Sequence, residues 1–570
     1  MTEKAPGKCD WNVSNRRLYG ALARKHFDFY AAGKCILVIS IWAACTLRPG
    51  PALTAEPEPS VLTLTVTGFD VQGENPLSAE ETARVVAPHR GEHTGIKSIE
   101  AAADALQKAI NDKGFAFYRV VLPAQKPEGG MIVLKVVRFA VDSVRVTGNK
   151  HFSEANIQAA IPALRSGVPP VARLVARSLA ISNENPAKRA AVHLRENTEG
   201  NAIDAEIQVE DRAPWQVFAS VSNAGTSETG SWRTSIGYQH ANLFDRDHIL
   251  TASFTTSPDH FDDVKQYGLF YSVPLYALGD SLSAFFVYSD VTQGTVADFF
   301  QVSGAGKFFG ARYTHALDKH NAYGHKLVAT LEERLFENNV KVIASGAAIG
   351  VDVGSTPLSL RYEGSYLWTD KDPQQPARGS ASFYVEGSHN LGIGPDNNQT
   401  SYRANRAGAD RAWSLARYGA EMTLRLPAKW TLNGRFDAQW AGEPLIAAEQ
   451  FGMGGASSVR GFREREVSGD DGYRINLELW SPPVAESVWF LAFVDAGHRR
   501  LYDPPPGQDS RENLASVGVG LRWNWRKKLE VSFDAARVVN GCTSGCFVGS
   551  TNGTSAGAMR GHFALMYRFQ

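Results

Sequence analysis

Gly553-Thr554-Ser555-Ala556-Gly557 has the G-x-S-x-G spacing of an activated serine nucleophile. That chemistry needs an apolar strand before the serine and a helix after it, so that a strained turn presents the hydroxyl. The flanks here are Gly, Asn, Thr and Ser, which predicts an external loop and no catalysis. The 14 histidines show no H-E-x-x-H or comparable ligand spacing, and there is no phosphate loop. Glu333, Glu337 and Lys341 read as a solvated strand end rather than an acid/base pair. Cys542 and Cys546 stand four apart in a Gly/Ser/Thr-rich stretch. Zinc would need two further ligands nearby and none is evident, whereas an oxidising compartment permits a disulfide. Lys+Arg and Asp+Glu are both 59, so no basic excess supports a nucleic-acid partner. The expectation is a protein that is not an enzyme and carries no metal or cofactor.

The surrounding elements then have to explain the chain. Hydrophobic residues make up 43% and charged residues 21%, which excludes general disorder. No uninterrupted apolar run reaches the ~18–20 residues of a spanning helix. The segment Cys35–Leu47 is apolar and preceded by Arg16, Arg17, Arg24, Lys25 and Lys34. It has the length of a signal-peptide core, so residues 1–55 read as a targeting segment with a long basic leader and cleavage after Ala55. Lipidation at Cys45 and a buried core segment are the alternatives; Trp42 fits poorly as the residue three before a lipidated cysteine.

Residues 61–138 predict strand, helix, helix, strand, strand. Ser78 and Glu81 have capping-box spacing, and Ile99, Ala102, Leu106 and Ile110 recur at helical spacing before Gly114. The same order returns over 139–210, giving two copies of a βααββ unit.

From residue 211 to 570 the period changes to two. Trp232, Thr234, Ile236 and Tyr238 alternate with Arg233, Ser235 and Gly237. Val517, Val519, Leu521, Trp523 and Trp525 alternate with Gly518, Gly520, Arg522 and Asn524, and Phe533 alternates with Glu530 and Asp534. Sixteen such segments can be counted, with short even-numbered connections and long odd-numbered ones such as 391–412, 441–471 and 539–559. That asymmetry, with aromatics toward strand ends, predicts an all-β transmembrane barrel of 16 antiparallel strands, closed because lipid cannot satisfy a free edge. Arg233, Arg522, Glu530 and Asp534 would line its lumen. An even strand count puts both barrel ends, and the two repeats, on the short-turn side.

The connection 441–471 contains Phe451-Gly452-Met453-Gly454-Gly455 and then Val459-Arg460-Gly461-Phe462; two strands later comes Phe493-Val494-Asp495-Ala496-Gly497. These strings resemble the VRGF/Y and F-x-D-x-G motifs of the outer-membrane assembly and translocation superfamily. The resemblance implies an inward-folded loop whose Arg460 reaches Asp495 in the lumen, with Val459, Gly461, Phe462, Phe493 and Gly497 completing the two motifs. The repeats resemble POTRA domains. Leu122-Pro123-Ala124-Gln125, Asn183-Glu184-Asn185-Pro186, Asn242-Leu243-Phe244 and Tyr271-Ser272-Val273-Pro274-Leu275 resemble signatures of two-partner secretion transporters, the hemolysin secretion/activation (ShlB/FhaC/HecB-like) group. The departures are Arg138-Phe139 where Glu-Gly is frequent, an ending Phe569-Gln570, and little room for a plug helix between Ala55 and the first repeat.

The resemblance implies an outer-membrane transporter with periplasmic POTRA domains that passes a secreted exoprotein, held extended, through the barrel to the surface. It would sit among outer-membrane lipids, reach them with periplasmic chaperones and the barrel-assembly machinery, and need no nucleotide. An insertase-type relative is the alternative, and its usual three or five POTRA domains discriminate it from the two here. A passive porin-like channel would explain neither the repeats nor the Arg and Asp motifs.

Overall fold

A computed structural model describes residues 63–197, 202–226, 229–291, 294–296, 300–302, 305–337, 351–369, 377–542 and 553–569. The targeting segment 1–55, Lys341 and Cys546 lie outside the described residues.

The first repeat is built on two helices, α1 (Ala79–Val86) and α2 (Ile96–Asp112). Ser78 starts α1 with a reciprocal capping box: its hydroxyl accepts from the Glu81 N–H, and the Glu81 carboxylate accepts from the Ser78 N–H. Each bond satisfies an amide that the first helical turn leaves free. Helix α2 turns Ile99, Ala102, Leu106 and Ile110 onto one buried face. That face packs on Ile132, Leu134 and Val136 of the central strand of a three-stranded sheet. In this sheet Gly68–Gly73 runs parallel, and Tyr118–Val121 antiparallel, to Met131–Arg138. The sequence reading has one strand before the first helix, ending at Gly68, and so misses two: Gly68–Gly73, and Gly91–Thr94, which pairs antiparallel with Thr63–Val66.

The second repeat has the expected order, with strand Ala140–Thr147, helices Glu154–Ala159 and Ala172–Ser182, and strands Lys188–Glu196 and Ala202–Asp211. The chain divides into two compact units, and the division runs through this repeat. Residues 146–162 and 174–190 belong to the unit that contains 208–570, and residues 163–173 and 191–207 to the other.

From Trp215 on, the strands form one closed antiparallel barrel. It has sixteen members once Val353–Ser355 and Pro357–Trp368, collinear segments separated only by Thr356, are read as the eighth. The first strand (Trp215–Ser222) closes against the last (Met559–Phe569), from Ala564 opposite Ser222 to Phe569 opposite Val217. One residue beyond, Asn223 extends the seam: its side chain accepts from the Phe563 N–H and donates to the Gly561 carbonyl.

Even-numbered connections are tight, as at 244–247, 276–279, 426–430 and 526–528; odd-numbered ones are long, as at 391–413, 441–470 and 541–558. Along the twelfth strand (Asp471–Trp480), Tyr473, Ile475, Leu477 and Leu479 are exposed, while Arg474 is buried and Asn476 and Glu478 are half-buried. A water-soluble sandwich would bury that apolar face. Here Leu360 and Val519 are 61% and 62% exposed, and Trp215, Trp440, Trp523, Trp525 and Phe569 stand exposed at strand ends. This is a lipid-facing band bounded by aromatic girdles.

Candidate functional site: the lumen loop and its anchors

The loop 441–470 joins the eleventh strand (Thr431–Trp440) to the twelfth. Its stem is a small ribbon, Phe451–Met453 paired with Val467–Gly469. Gly454 and Gly455 turn the chain out of the ribbon at φ 109° and 103°. A Cβ on Gly454 would lie 2.4 Å from the Arg463 carbonyl oxygen, so only glycine fits there. Met453, Val459, Phe462 and Val467 are buried against Leu514, Val538 and Cys542. Val459 and Phe462 flank the loop tip, and burying each contributes about 1.5–3 kcal/mol toward seating it.

Between those two apolar residues lies Arg460, 3% exposed. Its Nε donates to Asp495 Oδ2 at 2.7 Å and its Nη2 to Asp495 Oδ1 at 2.8 Å, a bidentate pair. The Arg460 backbone N–H adds a third bond to Asp495, at 3.0 Å. Nη1 donates to Glu478 at 2.7 Å and lies 3.6 Å from Asp534. The guanidinium carbon sits 3.5 Å from the centre of the Phe493 ring. Forked donors and a stacked face are what a guanidinium has and an ammonium lacks. Asp495, on the thirteenth strand (Val488–Arg500), is fully buried and also accepts from Asn476, which in turn donates to the Ser458 carbonyl.

The three motif positions on that strand have separate duties. Phe493 supplies the ring under Arg460, and Asp495 the acceptor. Gly497 supplies room, because a Cβ there would meet Met453 Sδ at 2.5 Å and Val459 Cγ2 at 3.3 Å. Across the barrel wall Gly518 makes space for the Phe493 ring. Arg522 holds Asp534 bidentately at 2.7 and 2.9 Å.

Several anchors carry no sequence signal. Gly461, at φ 94°, donates its N–H to His562 Nε2 at 2.9 Å, on the last strand. Glu466 accepts from the Arg463 N–H and from both the N–H and the hydroxyl of Thr554. The G-x-S-x-G stretch is therefore partly a brace for the lumen loop. Cys542 is buried beneath that loop and disulfide-bonded. At the outer end Arg406 pairs with Asp470 and donates to the Leu445 and Tyr502 carbonyls, both at 2.6 Å. Asp470 also accepts from the Leu445 and Tyr502 N–H groups and from Gln450. This cluster ties together the connections 391–413, 441–470 and 501–510. Deeper, Arg334 pairs with Glu332 and with the fully buried Glu449.

Near the short turns, Lys188 and Asp247 form a pair in which both side chains are 1% exposed. Tyr276 also donates to Asp247, and Asn156 donates to the Asp245 carbonyl. Burial pulls the Lys188 ammonium below its ordinary pKa, with Asp247 opposing that shift. The Glu81 carboxyl is held below its ordinary value by the Lys113 ammonium that bonds to it. Among the described residues there is no cluster of His, Cys, Asp and Glu that could hold a metal ion.

An even-stranded closed barrel with a lipid-facing band and an external loop pinned to its inner wall, preceded by two βααββ repeats, is the architecture of an outer-membrane protein. The profile of the family "Haemolysin secretion/activation protein ShlB/FhaC/HecB" matches residues 202–351 and 373–523, and that of the ShlB-type POTRA domain matches 64–138. The chain belongs to this haemolysin secretion/activation family. The outer membrane transporter CdiB of Escherichia coli is 24% identical over 490 residues, 81% of this chain and 77% of that protein. The heme/hemopexin transporter protein HuxB of Haemophilus influenzae is 20% identical over 474 residues, 80% of each. The solved CdiB of Escherichia coli superposes with a TM-score of 0.65 at 16% identity, covering 91% of this chain and 93% of that one. The protein is thus a transporter of the outer membrane, with its POTRA domains in the periplasm.

Proposed function

We propose that this chain is the transporter half of a two-partner secretion pair. Its POTRA repeats receive an extended exoprotein in the periplasm, and the barrel lumen conducts it to the surface. Strand addition along a POTRA sheet edge is a sequence-tolerant way to hold an extended client. Family membership supports this reading over barrel insertion. The observation that carries the mechanism is the bidentate Arg460–Asp495 pair, which fixes the lumen loop to the wall. In this reading Val459, Arg460, Gly461 and Phe462 form the movable part of the bore, and Phe493, Asp495 and Gly497 its seat. Cys542 and Cys546 together would staple the last external loop over that seat. Transport would be driven by folding of the client outside, without nucleotide hydrolysis. Arg460→Ala should leave a heat-modifiable barrel in the outer membrane while export of the client falls. Unchanged export in that variant would refute the assigned role of the pair. Depletion of the protein should remove its client from the surface and leave the other outer-membrane proteins at their usual levels.

A further inference from the structure

The lipid-facing side of the eleventh to fourteenth strands carries one feature that secretion does not require. A depression of about 430 Å³ opens at the external end of the barrel wall, lined by Phe436, Ala438, Ile475, Tyr473, His498 and Arg500. Its cause lies in the register. Ala438 stands opposite Tyr473, which stands opposite His498; one row deeper, Phe436 faces Ile475, which faces Ala496. The alanines leave a hollow between aromatic walls. Below it the outward residues are purely apolar, with Leu477, Leu479 and Val494 exposed. The hollow therefore opens at the upper border of the apolar band, which is about 25 Å tall in such barrels.

Two cations stand at its rim. Arg500 ends the thirteenth strand and Arg511 begins the fourteenth (Arg511–Trp525), directly opposite each other in register, and both are exposed. Like charges directly opposite on an antiparallel pair are destabilising unless something neutralises them. Among the described residues neither arginine has a carboxylate within ion-pair distance. The one carboxylate of the lining, Asp471, stands opposite Arg500 in register but makes no ion pair with it, its oxygens being held by other donors. Its Oδ1 accepts from the Ala441 and Gly442 N–H groups and its Oδ2 from the Tyr502 hydroxyl. Tyr502 in turn lies under Arg500, with the guanidinium carbon 4.3 Å from the ring centre, which fixes the cation at the rim.

We infer that this patch is a binding site for a phosphorylated acyl lipid of the outer leaflet, with the headgroup phosphate between Arg500 and Arg511 and an acyl chain in the hollow over Ala438. The occupant is set by complementarity. Two unpaired guanidiniums match a phosphate, and basic pockets at a membrane border bind lipid headgroups for this reason. The apolar hollow continuous with the lipid band selects an anion that carries a chain.

The test uses the full-length protein in a neutral detergent and native mass spectrometry. The probes are a bis-phosphorylated diglucosamine acyl lipid, its dephosphorylated form and inorganic phosphate. The expected result is retention of a single phosphorylated lipid, weaker retention of the dephosphorylated form, and no displacement by inorganic phosphate. Arg500→Gln and Arg511→Gln should each weaken retention about fivefold, the worth of one cation near a charged lipid surface. Ala438→Trp should abolish retention with both arginines intact. Heat-modifiable migration verifies that each variant is a folded barrel. Equal retention of the dephosphorylated lipid, wild-type retention by the double glutamine variant, or displacement by phosphate alone would each overturn the site.

Discussion

Of the guanidinium–carboxylate latches on the long connection 441–470, those of Arg460 and Arg406 differ most in what they hold it to. Arg460 at the loop tip grips Asp495, a residue of the barrel wall. Arg406 grips Asp470 at the loop's far end, and both of those residues belong to connections. The inner latch is rigid on one side, because Asp495 sits in a ladder between Asn476 and Ser516. The outer latch joins three segments that have no regular strand partners at that point. A single carboxylate pinned by a strand can fix a loop, whereas a carboxylate on a loop needs a full ring of donors. Asp470 has such a ring.

This comparison can be broken by substitution. Arg460→Ala should have the largest effect, because it strips the buried Asp495 of its counter-charge; such losses run to about 3–5 kcal/mol. Protease cleavage within 451–469 from the external side measures the release. Arg460→Lys should fail to restore protection, since an ammonium provides neither the fork nor the stacking face. Arg406→Ala should cost less, about 3 kcal/mol at the lower end of that range, because the equally buried Asp470 keeps three other donors where Asp495 keeps two. It should expose the connections at 391–413 and 501–510 to surface labelling while the tip stays protected. Simultaneous release of tip and outer loops in Arg406→Ala would merge the two latches into one.

His562→Ala sharpens the inner latch further. It leaves the buried Gly461 N–H without an acceptor, a loss of about 1–3 kcal/mol. Protection of the tip should fall by less than in Arg460→Ala, and His562→Gln should recover part of it. The smallest effect belongs to the exposed contrast, Glu81 with Lys113. The Glu81 pKa is depressed in the folded state, so its contribution is complete above the ordinary glutamate value of about 4.3 and fades as pH falls through the folded value. Amide exchange in α1 should quicken only on such acidification, and Glu81→Gln should remove that dependence.

The barrel was legible because each spanning strand must present alternate residues to lipid and lumen, and that constraint writes itself as period two. Gly91–Thr94 escaped because Gly-Glu-His-Thr has no apolar alternation, and its pairing with Thr63–Val66 rests on backbone bonds. The inner latch could be read from motif resemblance, since its residues lie in short local strings. Arg406, Asp470, Glu449 and His562 could not. Their partners are distant in sequence, loop conformation imposes no period, and a chain with 59 charges of each sign hides any single pair.

The bond from Gly461 to His562 joins the lumen loop to the strand that closes the barrel against the first. A barrel whose first and last strands have not yet paired can still lack that acceptor in place. Full locking of the lumen loop therefore waits on closure of the seam, and an open barrel remains distinguishable from a closed one by the looseness of its own interior.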